Sequence, residues 1–165
     1  MFLSEILSEA VIKPSLRAAK KAGAIEELVD LLIEAHELPM VIRPHILHII
    51  AEREKSVSTG MECHLALPHG ATDRVDATIG ALGISPNGID FDCRDGLPAK
   101  IIILLVVPKK DFQAHLHAIS SIARLMRHKP LRDAILKSGN EKAAILRLIQ
   151  EEEKKQGLGH GVKST

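Results

Sequence analysis

Residues 101–107 read Ile-Ile-Ile-Leu-Leu-Val-Val, an unbroken aliphatic run closed by Pro108. Side chains along a strand alternate between its two faces, so a strand of this composition has no face to give to water and must be covered on both sides. The run is too short to span a bilayer. A central strand over residues 100–107 is expected, inside an α/β sandwich whose mixed β-sheet carries helices on both faces. With 165 residues and 45% hydrophobic content the chain can bury such a core as one domain. Having no Trp, no Tyr and three Phe, it must build that core from aliphatic side chains.

Periodicity supplies the other elements. Ile25, Leu28, Leu31 and Leu32 recur at helical spacing among acidic residues, which predicts an amphipathic helix over 22–36. Pro44 suits the first turn of a second helix running to about Lys55. A short opening helix over 2–9 and a strand over 11–16 precede them, and a polar loop over 56–62 follows. Strands are expected at 64–67 and 77–84. Pro86-Asn87-Gly88 and Arg94-Asp95-Gly96 are turn signals bracketing Ile89-Asp90-Phe91-Asp92. Helices are expected at 112–127, 130–137 and 141–153. The acidic and basic run from Glu151 to Lys155 leads into Gly157-Leu158-Gly159-His160-Gly161 and offers no apolar face, so the domain is expected over 1–150 and a flexible C-terminal tail over 151–165.

Composition excludes several classes. Lys and Arg number 22 against 21 Asp and Glu, and no basic patch is interleaved with aromatics, so nucleic acid is not expected as a partner. Glu5 and Glu9 stand where a signal peptide needs a basic flank, and a soluble cytoplasmic protein is expected. Cys63 and Cys93 form neither a disulfide framework nor a zinc pair. The glycines after residue 156 lack the strand and the Gly-Lys-Ser/Thr of a phosphate loop.

Leu67-Pro68-His69-Gly70-Ala71 places one imidazole where an apolar strand meets a turn, a position at which a rigid scaffold can hold a reactive histidine. The same Pro-His-Gly also makes an ordinary turn. On the helix from Phe112, a step of about 100° per residue puts His115 with Ala118, Ile119, Ile122 and Met126 on the inward face, and His117 with Ser121, Arg124 and His128 on the outer one. His-x-His therefore cannot close on one metal. His115 also follows Asp111, a possible cap, in the first turn, where backbone N–H groups favour an anion; the plainer interpretation is a satisfied core histidine. Alternation sets His64 on the strand face opposite His69, and Cys63-His64 has no second pair with which to bind zinc. His45 and His48 lack a third ligand. Arg53, before Ser58-Thr59-Gly60, could hold a phosphoryl group through its planar fork with the loop hydroxyls donating beside it, or could be a helix-surface partner of glutamate.

Taken together, Arg53-Glu54-Lys55-Ser56-x-Ser58-Thr59-Gly60, Leu65-Ala66-Leu67-Pro68-His69-Gly70, Gly88-Ile89-Asp90-Phe91 with Asp95-Gly96-x-Pro98, Leu104-Leu105-Val106-Val107-Pro108, and His115-Leu116 with Ile122-Ala123-Arg124-Leu125 resemble the enzyme IIA domains of the fructose/mannitol class of the bacterial sugar phosphotransferase system, including its nitrogen-regulatory branch. The resemblance covers roughly residues 1–150. It implies a histidine phosphocarrier: His69 matches the family's active histidine, which accepts a phosphoryl group from phosphorylated HPr and passes it to a IIB domain. His115 and Arg53 match the residues that hold the phosphoryl group. Implied too are no metal or organic cofactor and only an indirect tie to the membrane, through a permease. A regulatory protein whose phosphorylation state selects its partners, and a diverged binding domain, are the alternatives. Two departures stand out: Cys63-His64 where relatives have Gly and a β-branched residue, and Lys109-Lys110 where many are acidic or neutral.

Overall fold

A computed structural model describes residues 2–157, and of Phe112 the backbone alone. In chain order its elements are α1 (Leu3–Ile6), β1 (Ile12–Lys13), α2 (Lys21–Glu34), α3 (Arg43–Ser56), β2 (Leu65–Ala66), β3 (His69–Thr72), β4 (Ile79–Ile89), β5 (Ala99–Pro108), α4 (Phe112–Met126), α5 (Lys129–Lys137) and α6 (Lys142–Lys155). The aliphatic run is β5, and every residue from 101 to 107 is wholly buried. Each such side chain contributes roughly 1.5–3 kcal/mol relative to exposure. The sheet order is β1-β4-β5-β2, with β3 also on β5; β4 runs antiparallel to β5, while β1 is parallel to β4 and β2 and β3 are parallel to β5.

β2 and β3 lie on one line. Leu65 faces Ile101 and His69 faces Leu105, an unchanged offset of 36 residues. Pro68 interrupts the strand because it has no N–H to donate. Its carbonyl still accepts the Leu105 N–H at 3.0 Å, so the pairing carries straight through. The pentapeptide around His69 is therefore an interrupted strand and not the expected turn.

The two faces of the sheet are covered by different helices. A Cβ placed on Gly70 would sit 2.9 Å from Ile49 Cγ1 and 3.1 Å from Ile50 Cγ1, so α3 presses directly on that side of β3. Alternation turns His69 to the opposite face. There its ring meets His115 of α4. Helices thus flank both faces, as the all-buried central strand requires.

Several boundaries differ from expectation. The opening segment is α1 followed by a 3-10 turn at Glu9–Val11, and β1 shrinks to two residues, although the Leu16 N–H still donates to Ile84 O at 2.8 Å. Pro86-Asn87-Gly88 does not turn the chain. It forms an irregularity inside β4, where pairing shifts from Ile84↔Ile101 to Ile89↔Ala99 and Gly88 takes a φ of 82°. The expected tail boundary at 150/151 falls within α6, which continues to Lys155 because its acidic residues find distant partners. Glu152 and Glu153 are buried, Glu153 Oε1 accepts the first-turn Ser4 N–H of α1 at 3.3 Å, and Glu152 Oε2 lies 3.6 Å from His128 Nε2. The rest of the expected tail, with its glycines from Gly159 on, lies outside the described residues. Among the described residues no helix is long and apolar enough to cross a membrane.

Candidate functional site

His69 is the first residue of β3 and only 7% exposed, so it is inside the fold and not at an exposed strand end. Its Nδ1 lies 2.8 Å from the Leu67 carbonyl oxygen. A carbonyl can only accept, so Nδ1 carries the proton and the neutral ring holds its lone pair on Nε2. Burial lowers the His69 pKa, as does the nearby charge of Arg53; the Leu67 hydrogen bond and Glu54 oppose them. An unprotonated Nε2 on a buried ring is a nucleophile.

His115 points inward from α4 as its helical position predicts, with Ala118, Ile122 and Met126 buried along the same face. The His69 and His115 ring centroids are 5.1 Å apart with their planes inclined at 59°. Burial lowers the His115 pKa too, followed by His69 and Arg53. Two imidazoles thus face each other, each with its charged form disfavoured by burial. Asp111 occupies the position before α4 but makes no capping hydrogen bond. His117 is exposed, as expected.

Arg53 lies in the last turn of α3, where its Nη1–H donates to the Val57 carbonyl at 2.8 Å. It is not the glutamate partner that a surface helix could have made it; Lys55 takes Glu52 instead, at 3.1 Å. Its charge reaches both imidazoles. The guanidinium keeps further N–H donors beyond the one given to Val57. The loop hydroxyls do not serve the site as expected. Ser58 donates to the Phe91 carbonyl, and Thr59 donates to Glu54 Oε2 at 2.5 Å. These bonds hold the loop against the sheet: Met61 N–H donates to Leu65 O at 2.8 Å, and Leu67 N–H to Thr59 O at 3.1 Å.

His64 stays away from His69, though for a reason other than strand alternation. Cys63 and His64 both have φ of 63°, a left-handed turn that glycine would adopt more freely and that ends before the strand begins. The expected strand start at 64 therefore moves to Leu65. The His64 ring donates or accepts through Nδ1 at the Pro98 carbonyl, 2.7 Å away, and since that carbonyl accepts, Nδ1 donates. Its backbone carbonyl meets Ile101 N–H, four rungs from Leu105, about 13 Å along the sheet. His45 bonds Thr72 Oγ1 at 2.8 Å. Lys109 and Lys110 share a cleft of about 280 Å³ with Asp73 and Asp76, so two carboxylates face their charge. Among the described residues no three His, Cys, Asp or Glu are grouped to hold a metal ion.

What sequence reasoning passed over is Glu54. Burial alone would raise its pKa, but bonds from Thr59 and Lys21 outweigh that and hold it below the usual carboxylate range. The only local hint was its place beside Arg53. A titration of the histidine ring resonances is expected to put the His69 midpoint below the ordinary value of about 6.5. Arg53→Ala should move both the His69 and His115 midpoints upward, since a cation opposes protonation of each; unmoved midpoints would place the guanidinium too far away to matter.

Residues 5–152 match the family described as phosphoenolpyruvate-dependent sugar phosphotransferase system, EIIA 2. The chain is 35% identical over 120 residues to the fructose-specific EIIA component of Haloferax volcanii, covering 73% of this chain and 77% of that protein. It is similar in structure to the nitrogen regulatory protein IIA-Ntr of Neisseria meningitidis, with a TM-score of 0.77 and 28% identity over 87% of this chain and 97% of the other. The fold also matches enzyme IIA mannitol in its Escherichia coli complex with phosphorylated enzyme IIB mannitol, at a TM-score of 0.73 and 21% identity, covering 88% and 97% of the two chains. With the family match running from residue 5 to 152, the chain belongs to the EIIA type 2 family of the phosphoenolpyruvate-dependent sugar phosphotransferase system.

Proposed function

We propose that this protein is a histidine phosphocarrier of the cytoplasm, taking a phosphoryl group onto His69 Nε2 from phosphorylated HPr and handing it to a IIB partner. The observation that carries this reading is the Nδ1 bond to the Leu67 carbonyl, which leaves Nε2 as the free lone pair of a buried ring. In the transfer the Nε2 lone pair forms the new N–P bond while the donor's N–P bond breaks and returns its electron pair to the donor nitrogen. The Nδ1 proton stays at Leu67. No organic cofactor or metal enters the step. Such a loose transition state needs positioning and positive or N–H groups around the phosphoryl oxygens, roles that His115 and Arg53 fit. The Escherichia coli complex supplies the analogy for a IIB acceptor.

The test is incubation with phosphoenolpyruvate, enzyme I and HPr, scoring an acid-labile mass increment. His115→Ala and Arg53→Lys should each still label, but on the order of 10²-fold more slowly, because each removes one group that holds the charged phosphoryl oxygens. An ammonium cannot reproduce the planar fork of Arg53. Unaltered kinetics in both variants would remove them from the site.

The likeness to IIA-Ntr favours one second reading, a regulator whose phosphorylation state decides which protein it binds. Pull-downs with the phosphorylated protein and with His69→Ala separate the two. A non-transport partner retained in only one state indicates regulation.

A further inference from the structure

Glu54 takes no direct part in the phosphoryl site, yet it is tied to it. Only 8% of its side-chain surface is exposed. Oε1 accepts the Thr59 N–H at 3.0 Å and the Lys21 ammonium at 2.9 Å, and Oε2 accepts the Thr59 hydroxyl. Lys21, which lies over the Phe91 ring and also meets Asp92 at 3.1 Å, anchors the carboxylate from α2. Thr59 is buried, and its carbonyl accepts the Leu67 N–H. The Leu67 carbonyl in turn holds the Nδ1 proton of His69. Hydrogen bonds relayed through the backbone of Thr59 and Leu67 therefore join α2 and the end of α3 to the reacting ring.

We propose that Glu54 is a positioning residue for His69: through Thr59 and Leu67 it fixes the carbonyl that keeps the ring proton on Nδ1 and the lone pair on Nε2. This rests on His69 being the phosphoryl acceptor. Residues 59–61 form a partial extra strand along β2, and the bond from the Leu67 N–H to Thr59 holds the residue whose carbonyl meets His69, just ahead of Pro68, which donates nothing. With an amide in place of the carboxylate, one oxygen remains for the two buried Thr59 donors and the Lys21 ammonium, an NH2 donor stands where the second oxygen accepted, and the segment must move. A shift there passes directly to Leu67. Once its carbonyl tilts away, Nδ1 loses the acceptor that fixes its proton, and the ring divides between tautomers.

The experiment compares wild type, Glu54→Gln and Thr59→Val in the full chain, reading the His69 tautomer from ¹⁵N-histidine NMR and the rate of phosphoryl uptake from phosphorylated HPr. Wild type is expected to show a single tautomer with Nδ1 protonated. Glu54→Gln should show a mixture and accept phosphoryl about tenfold more slowly, the cost of a misplaced nucleophile. Thr59→Val should move both readouts the same way by less, and it decides the question if Glu54→Gln does not fold. A folded Glu54→Gln with an unchanged tautomer overturns the proposal, whether its rate is normal or slowed, because a slowed rate alone would put Glu54 on the phosphoryl group or a partner. If wild type accepts no phosphoryl group, the carrier reading fails by itself while the tautomer comparison still decides the role of Glu54.

Discussion

His69→Ala is expected to yield a folded protein that takes up no phosphoryl group. The substitution removes a ring that packs on His115 and satisfies the Leu67 carbonyl, so some stability is lost, about 1–3 kcal/mol for the unpaired acceptor and the space left behind. The backbone of β3 is held by its register with β5, from His69↔Leu105 to Thr72↔Pro108, and this does not depend on the side chain. Folding should therefore survive. Labelling should not, because no other imidazole can replace it. His115 is itself buried on α4, and His64 lies five residues back along the strand line with its Nδ1 bound to Pro98. Intact-mass measurement after incubation with the donor chain is the check. Label persisting at the wild-type rate, or appearing on His64, would overturn the assignment.

Gly60→Ala should be the most damaging single methyl addition in the loop beside the site. A Cβ at this position would lie 2.9 Å from the Cys93 backbone nitrogen and 3.0 Å from its Cα, and closer still to the Phe91 carbonyl oxygen. These are main-chain atoms and cannot rotate out of the way. Either the 90–93 segment or the 59–61 segment must lift, breaking the Ser58 bond to Phe91 and the bridge between Gly60 and Ala66. Overpacking of this kind costs about 3 kcal/mol. For a chain of this size the melting temperature should fall by roughly 6–12 °C. Phosphoryl uptake should slow as well, since the same segment carries the Thr59 carbonyl that holds Leu67. Calorimetry of the variant is the measurement, and an unchanged melting temperature would mean that the contact is not there. Gly96→Ala is the natural comparison: its φ is 74°, but a Cβ there meets nothing, so the cost should be limited to backbone strain of about 1–2 kcal/mol.

The glycines show where sequence reasoning reaches and where it stops. By its sequence Gly70 belongs to a turn, because Pro-His-Gly is a common turn string. Its actual role is to let Ile49 and Ile50 of α3 approach β3, a contact between segments twenty residues apart in sequence. Pro86-Asn87-Gly88 carries the same local signal and again is not a turn, because pairing with Ala99 resumes at Ile89 and keeps the chain in the sheet. Local strings state what the backbone can do. Long-range pairing selects among those options.

Helix α2 and strand β5 were legible from the sequence because their evidence is periodic and complete within the element: the spacing of Ile25, Leu28 and Leu32, and the lack of any polar face in residues 101–107. The inward direction of His115 came from the same helical geometry, and the candidate trio of His69, His115 and Arg53 from motifs whose order along the chain matches a known family. Only the tertiary structure decided that His69 is buried, which of its nitrogens carries the proton, that the Ser58 and Thr59 hydroxyls serve the loop, and that Glu54 lies at the head of the bonds leading to the ring. The physical reason is that hydrophobic periodicity is a property of neighbouring residues, whereas a hydrogen-bond partner is chosen by whichever group the closed chain brings within 3 Å. For His69 that group is the Leu67 carbonyl, held in place by residues 59 and 54.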